Sequence, residues 1–242
     1  MAKIPPRRTV NRLSVDDRTA DILAAARQAI AVKGYENVLL SDIARQAGIV
    51  EGTIYRYFQN KRDLLVKVAE VWFNEQLAID SQLPMIHGTQ NKLRHIAART
   101  LRIIKSEPVL SRFMLMELRP DPNYRGTPFF ELNRRFTRET LQVCKDAIAS
   151  GEFHADVSPA LVRDMLHGCI EHQTWAFLRG EGDFSIDEIA EGIAIVVYRG
   201  MAAAPSSQDT ATRIDAALTR LEATAARLDA SSAVASQTKA GR

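Results

Sequence analysis

Four consecutive side chains, Tyr55, Arg56, Tyr57 and Phe58, place two phenols, a guanidinium and a phenyl ring within one turn of chain. Asn60, Lys61 and Arg62 come just after. Guanidinium, ammonium and hydroxyl groups held together on a short helix suit phosphate oxygens and base edges. At 100° per residue, Ile54 and Phe58 fall one turn apart on one side, while Gly52, Thr53, Tyr55 and Arg56 project from the other. Tyr57 lies at the boundary. Phe58 is predicted to be core and Tyr55 to offer its phenol outward.

A second group, His167, Glu171 and His172, raises metal or acid–base chemistry, because His167 and Glu171 stand one helical turn apart. There is no HExxH pattern and no third ligand at a telling spacing, so a polar patch in a core or interface is the expectation. Gly180-Glu181-Gly182 comes after a helical pattern rather than a strand, which reads as a loop and not a phosphate cradle. No Ser/His/Asp or Cys/His arrangement is signalled. No metal, cofactor or enzymatic activity is predicted.

The elements that position these residues read as helices throughout. A first helix is expected over 15–33, with Ile22, Ala26, Ala29 and Ile30 on one face, a Ser14/Asp17 capping box and Gly34 as its stop. A short second helix takes Ser41 as N-cap, turns Ile43, Ala44 and Ala47 inward and ends at Gly48. A third covers 51–58, and a fourth runs from an Asn60 cap to about Ser81. Two short helices joined by a Gly-containing turn have helix-turn-helix geometry, whose second helix fits a DNA major groove. Arg56 is then placed for a guanine and Lys61 for a phosphate. Pattern alone leaves open an inert helical hairpin.

Further helices are expected over 90–105, 108–118, 128–150, 158–179 and 185–201, separated by Pro108, the 119–128 stretch, Gly151 and the 179–185 stretch. After a linker at 202–210, Ala211, Ile214, Leu218, Leu221, Ala225 and Leu228 repeat every three or four residues, and 231–242 read as a disordered tail. The fold class is all-α. The predicted organisation is a basic extension (1–14), a helix-turn-helix domain (15–66), a helical effector-binding and dimerisation domain (67–201), and a linker, short amphipathic helix and tail (202–242).

Charge distribution agrees with an anionic partner for the first block. Residues 1–67 hold twelve Lys/Arg against seven Asp/Glu, whereas the whole chain carries a net +3. A solvated charged surface is the competing explanation. Cys144 and Cys169 both lie in apolar helical patterns and read as reduced, buried thiols. The start MAKIPPRRTV has no apolar signal core, and no apolar run approaches membrane-spanning length, so a cytoplasmic protein without a membrane partner is expected.

The segment ILAAARQAIAVKGYENVLLSDIARQAGIVEGTIYRYFQNKRDLL (22–65) resembles the N-terminal DNA-binding domain of the TetR family of bacterial transcriptional regulators. The matching features are an alanine-rich first helix ending in Lys33-Gly34-Tyr35, then Ile43-Ala44, Ala47-Gly48, Gly52-Thr53-Ile54-Tyr55, Tyr57-Phe58, Lys61 and Leu64-Leu65. The resemblance implies a homodimer that represses transcription at a palindromic double-stranded DNA operator and is released by a small ligand held in the C-terminal domain. It implies that Thr53, Tyr55 and Tyr57 face DNA, that Lys61 grips a phosphate and that Gly52 lets the backbone approach the duplex. Ser41, Glu51 and Arg56 complete the DNA-facing set.

One departure concerns Val50, where many family members carry a Ser or Thr that caps the recognition helix and bonds a phosphate; valine does neither. Glu51 is either a charge suited to the helix dipole or a reader of cytosine. The basic extension from Lys3 to Arg12 is either a set of DNA contacts or a disordered tail.

For the C-terminal half, the resemblance implies that the last two long helices pair with their counterparts across a dimer interface. Phe113, Met116, Phe130, Phe136, His167, His172 and Trp175 are the candidate ligand residues, drawn from Met- and Phe-rich middle helices that suit an adaptable apolar cavity. Arg112, Arg119, Arg134 and Arg135 are candidates to meet a carboxylate or phosphates. The stretch LHGCIEHQTWAFL (166–178) resembles the equivalent helix of TetR-like regulators of fatty-acid metabolism, which implies an apolar effector such as an acyl-CoA or fatty acid. The alternatives are a helical protein–protein adaptor or a small-molecule-processing enzyme without specific DNA binding.

Overall fold

The computed structural model describes residues 14–79, 82–203 and 215–224. The basic extension, most of the linker and the final tail lie outside the described residues.

Every predicted helix is present, with instructive differences at the ends. Helix α1 (Val15–Asn37) starts with the expected capping box: Asp17 N–H donates to Ser14 Oγ at 3.0 Å, and Ser14 N–H donates to the Asp17 carboxylate at 3.3 Å. Gly34, at φ 78°, breaks the α-helical conformation where the stop was expected, and one further turn extends the element to Asn37. Helix α2 (Leu40–Gln46) begins one residue before Ser41, so Ser41 is not its N-cap. Asp42 satisfies the helix start instead, accepting the Leu39 N–H at 3.1 Å. Gly48, at φ 64°, ends the turn after α2.

Helix α3 is shorter than expected, Glu51–Ile54. Its chain then tightens: Arg56 N–H donates to Thr53 O and Tyr57 N–H to Ile54 O, both three residues back, before Phe58 N–H returns to Ile54 O. The Asn60 cap, at φ −160°, lies immediately beyond and leaves no room for another turn. Helix α4 (Lys61–Ala78) starts as expected, with Asp63 N–H donating to Asn60 Oδ1 at 2.9 Å. Such a cap stabilises a helix by about 1 kcal/mol. Its last residue is Ala78, short of the expected end.

Helices α5 (Thr89–Ser106), α6 (Pro108–Phe113), α7 (Pro128–Ala149), α8 (Pro159–Leu178) and α9 (Ile186–Met201) complete the body. The expected continuous helix over 108–118 changes character after Phe113. Met114–Leu118 form a π-helical turn in which Arg119 N–H donates to Met114 O, five residues back.

Ile22, Ile30, Ile43, Ile54 and Leu64 are fully buried, and Phe58 is nearly so. Each contributes about 1.5–3 kcal/mol by leaving water. This core continues through Trp72 and Phe73 of α4 to Phe113, Phe129 and Phe136. A second core joins α5, α7, α8 and α9 around Leu93, Leu101, Leu166 and Ala194. Helix α4 belongs to the first core from its first turn to its last, so the N-terminal helices share one packed interior with α6 and α7. Of the two cysteines, Cys144 is buried and its thiol pKa is pushed up to about 11 by burial, but Cys169 is exposed on the outer face of α8. The apolar pattern around Cys169 belongs to the opposite face of that helix.

The C-terminal unit, from Ala202, is represented by helix α10 (215–224), on which Leu218 and Leu221 are exposed. The rest of the expected 211–228 stripe lies outside the described residues.

Candidate DNA-binding surface and ligand cavity

The recognition surface is built on Ile54 and Phe58. Their burial anchors α3 against α1 and α2, and the remaining positions are turned outward as the helical wheel requires. Glu51, Gly52, Tyr55 and Arg56 are exposed, Tyr55 by 55%, while Thr53 and Tyr57 are half-buried. Arg56 has no ion pair among the described residues. A Cβ placed on Gly52 would meet nothing within 4 Å, so no contact inside the chain calls for glycine there. Glycine within a helix costs roughly 0.5–1 kcal/mol. Val50 is 75% exposed and makes no capping bond.

Lys61 also has a partner inside the chain. Its Nζ donates to the carbonyl of Glu36 at 3.0 Å, bracing the start of α4 against the end of α1. Nearby, Asp42 is held by Lys33 at 2.7 Å and Arg45 at 3.1 Å. The Lys33 ammonium, with the Leu39 N–H, keeps the Asp42 carboxyl below the usual carboxylate range. Ser41 is exposed in the first turn of α2.

Behind this surface, between α5, the π turn, α7 and α8, lies a cavity of about 500 Å³. Its apolar wall is made by Phe73, Ile103, Met114, Phe129, Phe130 and Phe136, and Arg119, Arg125, Arg134 and Arg163 contribute positive charge. Arg119 is paired with Glu171 and Arg163 with Asp164, both carboxylates also lining the cavity, while Arg134 pairs with Glu131 at 3.2 Å and lies over the Phe130 ring at 5.9 Å. Ser111 is fully buried in this wall with its hydroxyl unbonded.

Of the expected ligand residues, Phe130, Phe136 and His167 come together here. Phe113 packs its ring 5.1 Å from Tyr35 in the first core. Met116 is exposed on the π turn and His172 on the outer face of α8, while Trp175 is half-buried on α8; all three stand outside the cavity lining. Among the arginines, Arg112 is engaged by Glu36 at 2.9 Å and Arg135 lies beyond the cavity. Thr100, Ser111, Tyr124, Asn133 and Thr137 line the cavity without having been singled out from the sequence. Of these, Tyr124 alone gave a signal, as an aromatic within a Pro- and Gly-rich loop.

His167 is enclosed by Phe136, with centroids 6.1 Å apart, and by Thr140, whose hydroxyl is 3.0 Å from Nε2. Burial, reinforced by Arg119, Arg163 and Arg99, lowers its pKa to about 4. Between pH 6.5 and about 4 the unfolded chain therefore holds a proton there that the folded chain does not. Stability falls as pH drops through that window, by roughly 2 kcal/mol at pH 5 relative to pH 7 for this group. Urea unfolding at the two pH values is expected to show this loss, and His167→Gln to reduce it. An equal loss in the variant would assign it to other groups.

Residues 22–68 match the family model described as bacterial regulatory proteins, tetR family. That segment is a TetR-family DNA-binding domain. α2 and α3 are thus the helix-turn-helix of a TetR-family domain. Among relatives, the fatty acid metabolism regulator protein of Bacillus subtilis is 23% identical over 185 residues, covering 74% of this chain and 93% of its own. The regulator EthR of Mycolicibacterium smegmatis is 33% identical over 98 residues, covering 36% of this chain and 45% of its own. The same all-helical fold occurs in FadR of Bacillus subtilis, solved in complex with stearoyl-CoA (TM-score 0.64, 22% identity, 75% of this chain and 98% of that one). FadR of Bacillus halodurans, a fatty acid degradation regulator, shares it too (TM-score 0.61, 22% identity, 75% and 98%). Among the described residues, no helix is long and apolar enough to cross a membrane.

Proposed function

We propose that this chain is a dimeric repressor that binds a palindromic operator through residues 15–66 and leaves it when a fatty acyl thioester enters the body formed by residues 67–201. The observation that carries the effector half is the cavity, with an aromatic and aliphatic wall beside four arginines. An apolar chain suits the wall, and phosphates suit Arg119, Arg125 and Arg134. The stearoyl-CoA held by a regulator of the same fold supports this ligand class.

The path from cavity to DNA is short. Met114 and Leu115 of the π turn form cavity wall, and the same segment reaches α4 through Arg62, which meets Asp121 at 2.8 Å and Glu117 at 3.8 Å. Arg112, just before the turn, meets Glu36 near the end of α1. Exposed ion pairs of this kind contribute only about 0–1 kcal/mol each. They act as positional tethers that a shift of the π turn would move. A ligand that spreads the wall therefore displaces α4, and α3 with it, from the spacing the operator requires.

The dimer surface is proposed on α8 and α9. Leu161 and Met165 are exposed on α8 beside Gly168, Cys169 and His172, and Gly192, Val196 and Gly200 repeat every fourth residue on exposed α9. No neighbour inside the chain restricts a side chain at those three glycines. Two glycines about two turns apart, on either side of the exposed Val196, permit close approach by a helix of a second copy. The DNA-facing set is Ser41, Glu51, Gly52, Thr53, Tyr55, Arg56, Tyr57 and Lys61, whose ammonium keeps two further N–H donors for a phosphate beside its bond to the Glu36 carbonyl.

The test is release. Stearoyl-CoA at micromolar concentration is expected to lower operator affinity at least tenfold in a fluorescence anisotropy titration, with free coenzyme A having little effect. Equal affinity with and without the thioester would reject this effector class while leaving DNA binding untouched.

A further inference from the structure

A groove beside the ligand cavity carries two arginines that the effector site does not use. His95, Arg99, Arg102 and Ser106 succeed one another on α5 at intervals of four, three and four residues, so they share one face of that helix. They face Gln76 and Ile79 of the α4 end and Gln82 around a hollow of about 360 Å³. Arg99 also lines an adjoining hollow with Arg135 and Glu139.

Arg99 is held in place from two sides. Its Nη2 meets Glu139 of α7 at 2.6 Å, and its guanidinium lies 5.1 Å from the centroid of Phe136. Its Nε is buried and has no hydrogen-bond partner. Arg102 is exposed, and among the described residues it has no ion pair. Among the residues lining the two hollows, one carboxylate, Glu139, thus stands against Arg99, Arg102 and Arg135. The imidazole of His95 registers the resulting field. Its pKa is pushed down first by burial, then by Arg99 and Arg102, with Glu139 opposing and Arg94 adding to the push. A buried N–H without an acceptor is costly, and an anion in the groove would also meet the exposed charge of Arg102.

We propose that this groove is a second binding site, for a phosphate-bearing ligand, in which Arg99, Arg102 and His95 hold phosphate oxygens and Gln76, Gln82 and Ser106 supply neutral donors. A braced guanidinium flanked by a free one is suited to the tetrahedral, multiply charged oxygens of phosphate. The groove shares Ile103 with the ligand cavity. The phosphate therefore has two sources to distinguish: the diphosphate end of a thioester whose chain fills the cavity, or a separate phosphorylated metabolite. The site itself does not depend on the operator or on release from it.

Isothermal titration of the full chain with inorganic pyrophosphate, stearoyl-CoA and stearate tests the site. Arg102→Glu is the informative variant, because Arg102 is exposed and, among the described residues, has no ion pair; Arg138→Glu, an exposed arginine outside the groove, makes the same charge change. Arg102→Glu is expected to weaken pyrophosphate, stearoyl-CoA or both by roughly tenfold or more, the loss of one charge-assisted contact, while Arg138→Glu changes neither. Loss for stearoyl-CoA but not for stearate assigns the phosphate to the thioester. Loss for pyrophosphate with stearoyl-CoA unaffected assigns it to a separate metabolite. The site is overturned if neither phosphate probe responds to Arg102→Glu, or if both variants weaken binding equally. Thermal melting of each variant checks that the fold is intact.

Discussion

Replacing Thr53 and Tyr55 together by alanine is expected to weaken operator binding by about 100-fold, with no change in the thermal midpoint. Each side chain, placed in the major groove, contributes on the order of 1–3 kcal/mol, and about 2.8 kcal/mol from the two together corresponds to a hundredfold change. The stability half of the expectation comes from burial. Tyr55 is exposed and Thr53 half-buried, while the residues that anchor α3, Ile54 and Phe58, are untouched. Parallel titrations of wild type and variant on the same labelled duplex, with a melting curve for each, separate the two quantities. Full affinity in the variant would move recognition off α3. A lost melting transition would show that these side chains support the fold instead.

Val196→Asp is expected to turn the dimer into a monomer and to lower operator affinity by about 100-fold or more. Val196 is 69% exposed within one chain, so a carboxylate there leaves the isolated fold almost undisturbed. Between two copies of α9 the same carboxylate is desolvated without a partner, which costs several kcal/mol. Two half-sites bound by a joined pair benefit from an effective concentration that a monomer lacks, a factor of roughly 100 to 10,000. Light scattering at micromolar protein concentration reads the first effect and anisotropy the second. A variant that stays dimeric would place the interface elsewhere, for which helix α10, with Leu218 and Leu221 exposed, is the next surface to alter.

The outward face of α3 was legible in the sequence because its logic is local. Ile54 and Phe58 are one turn apart, and burying them turns Tyr55 and Arg56 outward whatever else the chain does. Capping was equally legible at Ser14 and Asn60, where the side chain, the helix start and the donor lie within four residues. It failed at Ser41, because Asp42 one residue later takes the Leu39 N–H and the helix starts earlier. The end of α3 was missed for a related reason: the Asn60 cap of the next helix truncates it.

The cavity was legible only in part. A helical period reports which face of a helix is apolar, not what lies opposite it. Phe113 and Phe136 look alike in sequence, yet one packs on Tyr35 and the other lines the cavity. Ser111 is a polar residue buried on α6 just before the π turn, and Tyr124 lies in the loop beyond it, so neither follows the apolar period. The Glu36 carbonyl that Lys61 meets lies twenty-five residues away, beyond the reach of any local pattern.

The most direct measurement is fluorescence anisotropy of the full chain on the DNA upstream of its own gene, with a scrambled duplex as control, across a salt series. Binding at least ~1,000-fold tighter to the upstream duplex is expected, in the range that separates specific from non-specific binding, together with a log–log salt slope that reports several phosphate contacts. Equal and weak binding to both duplexes at every salt concentration would contradict the account.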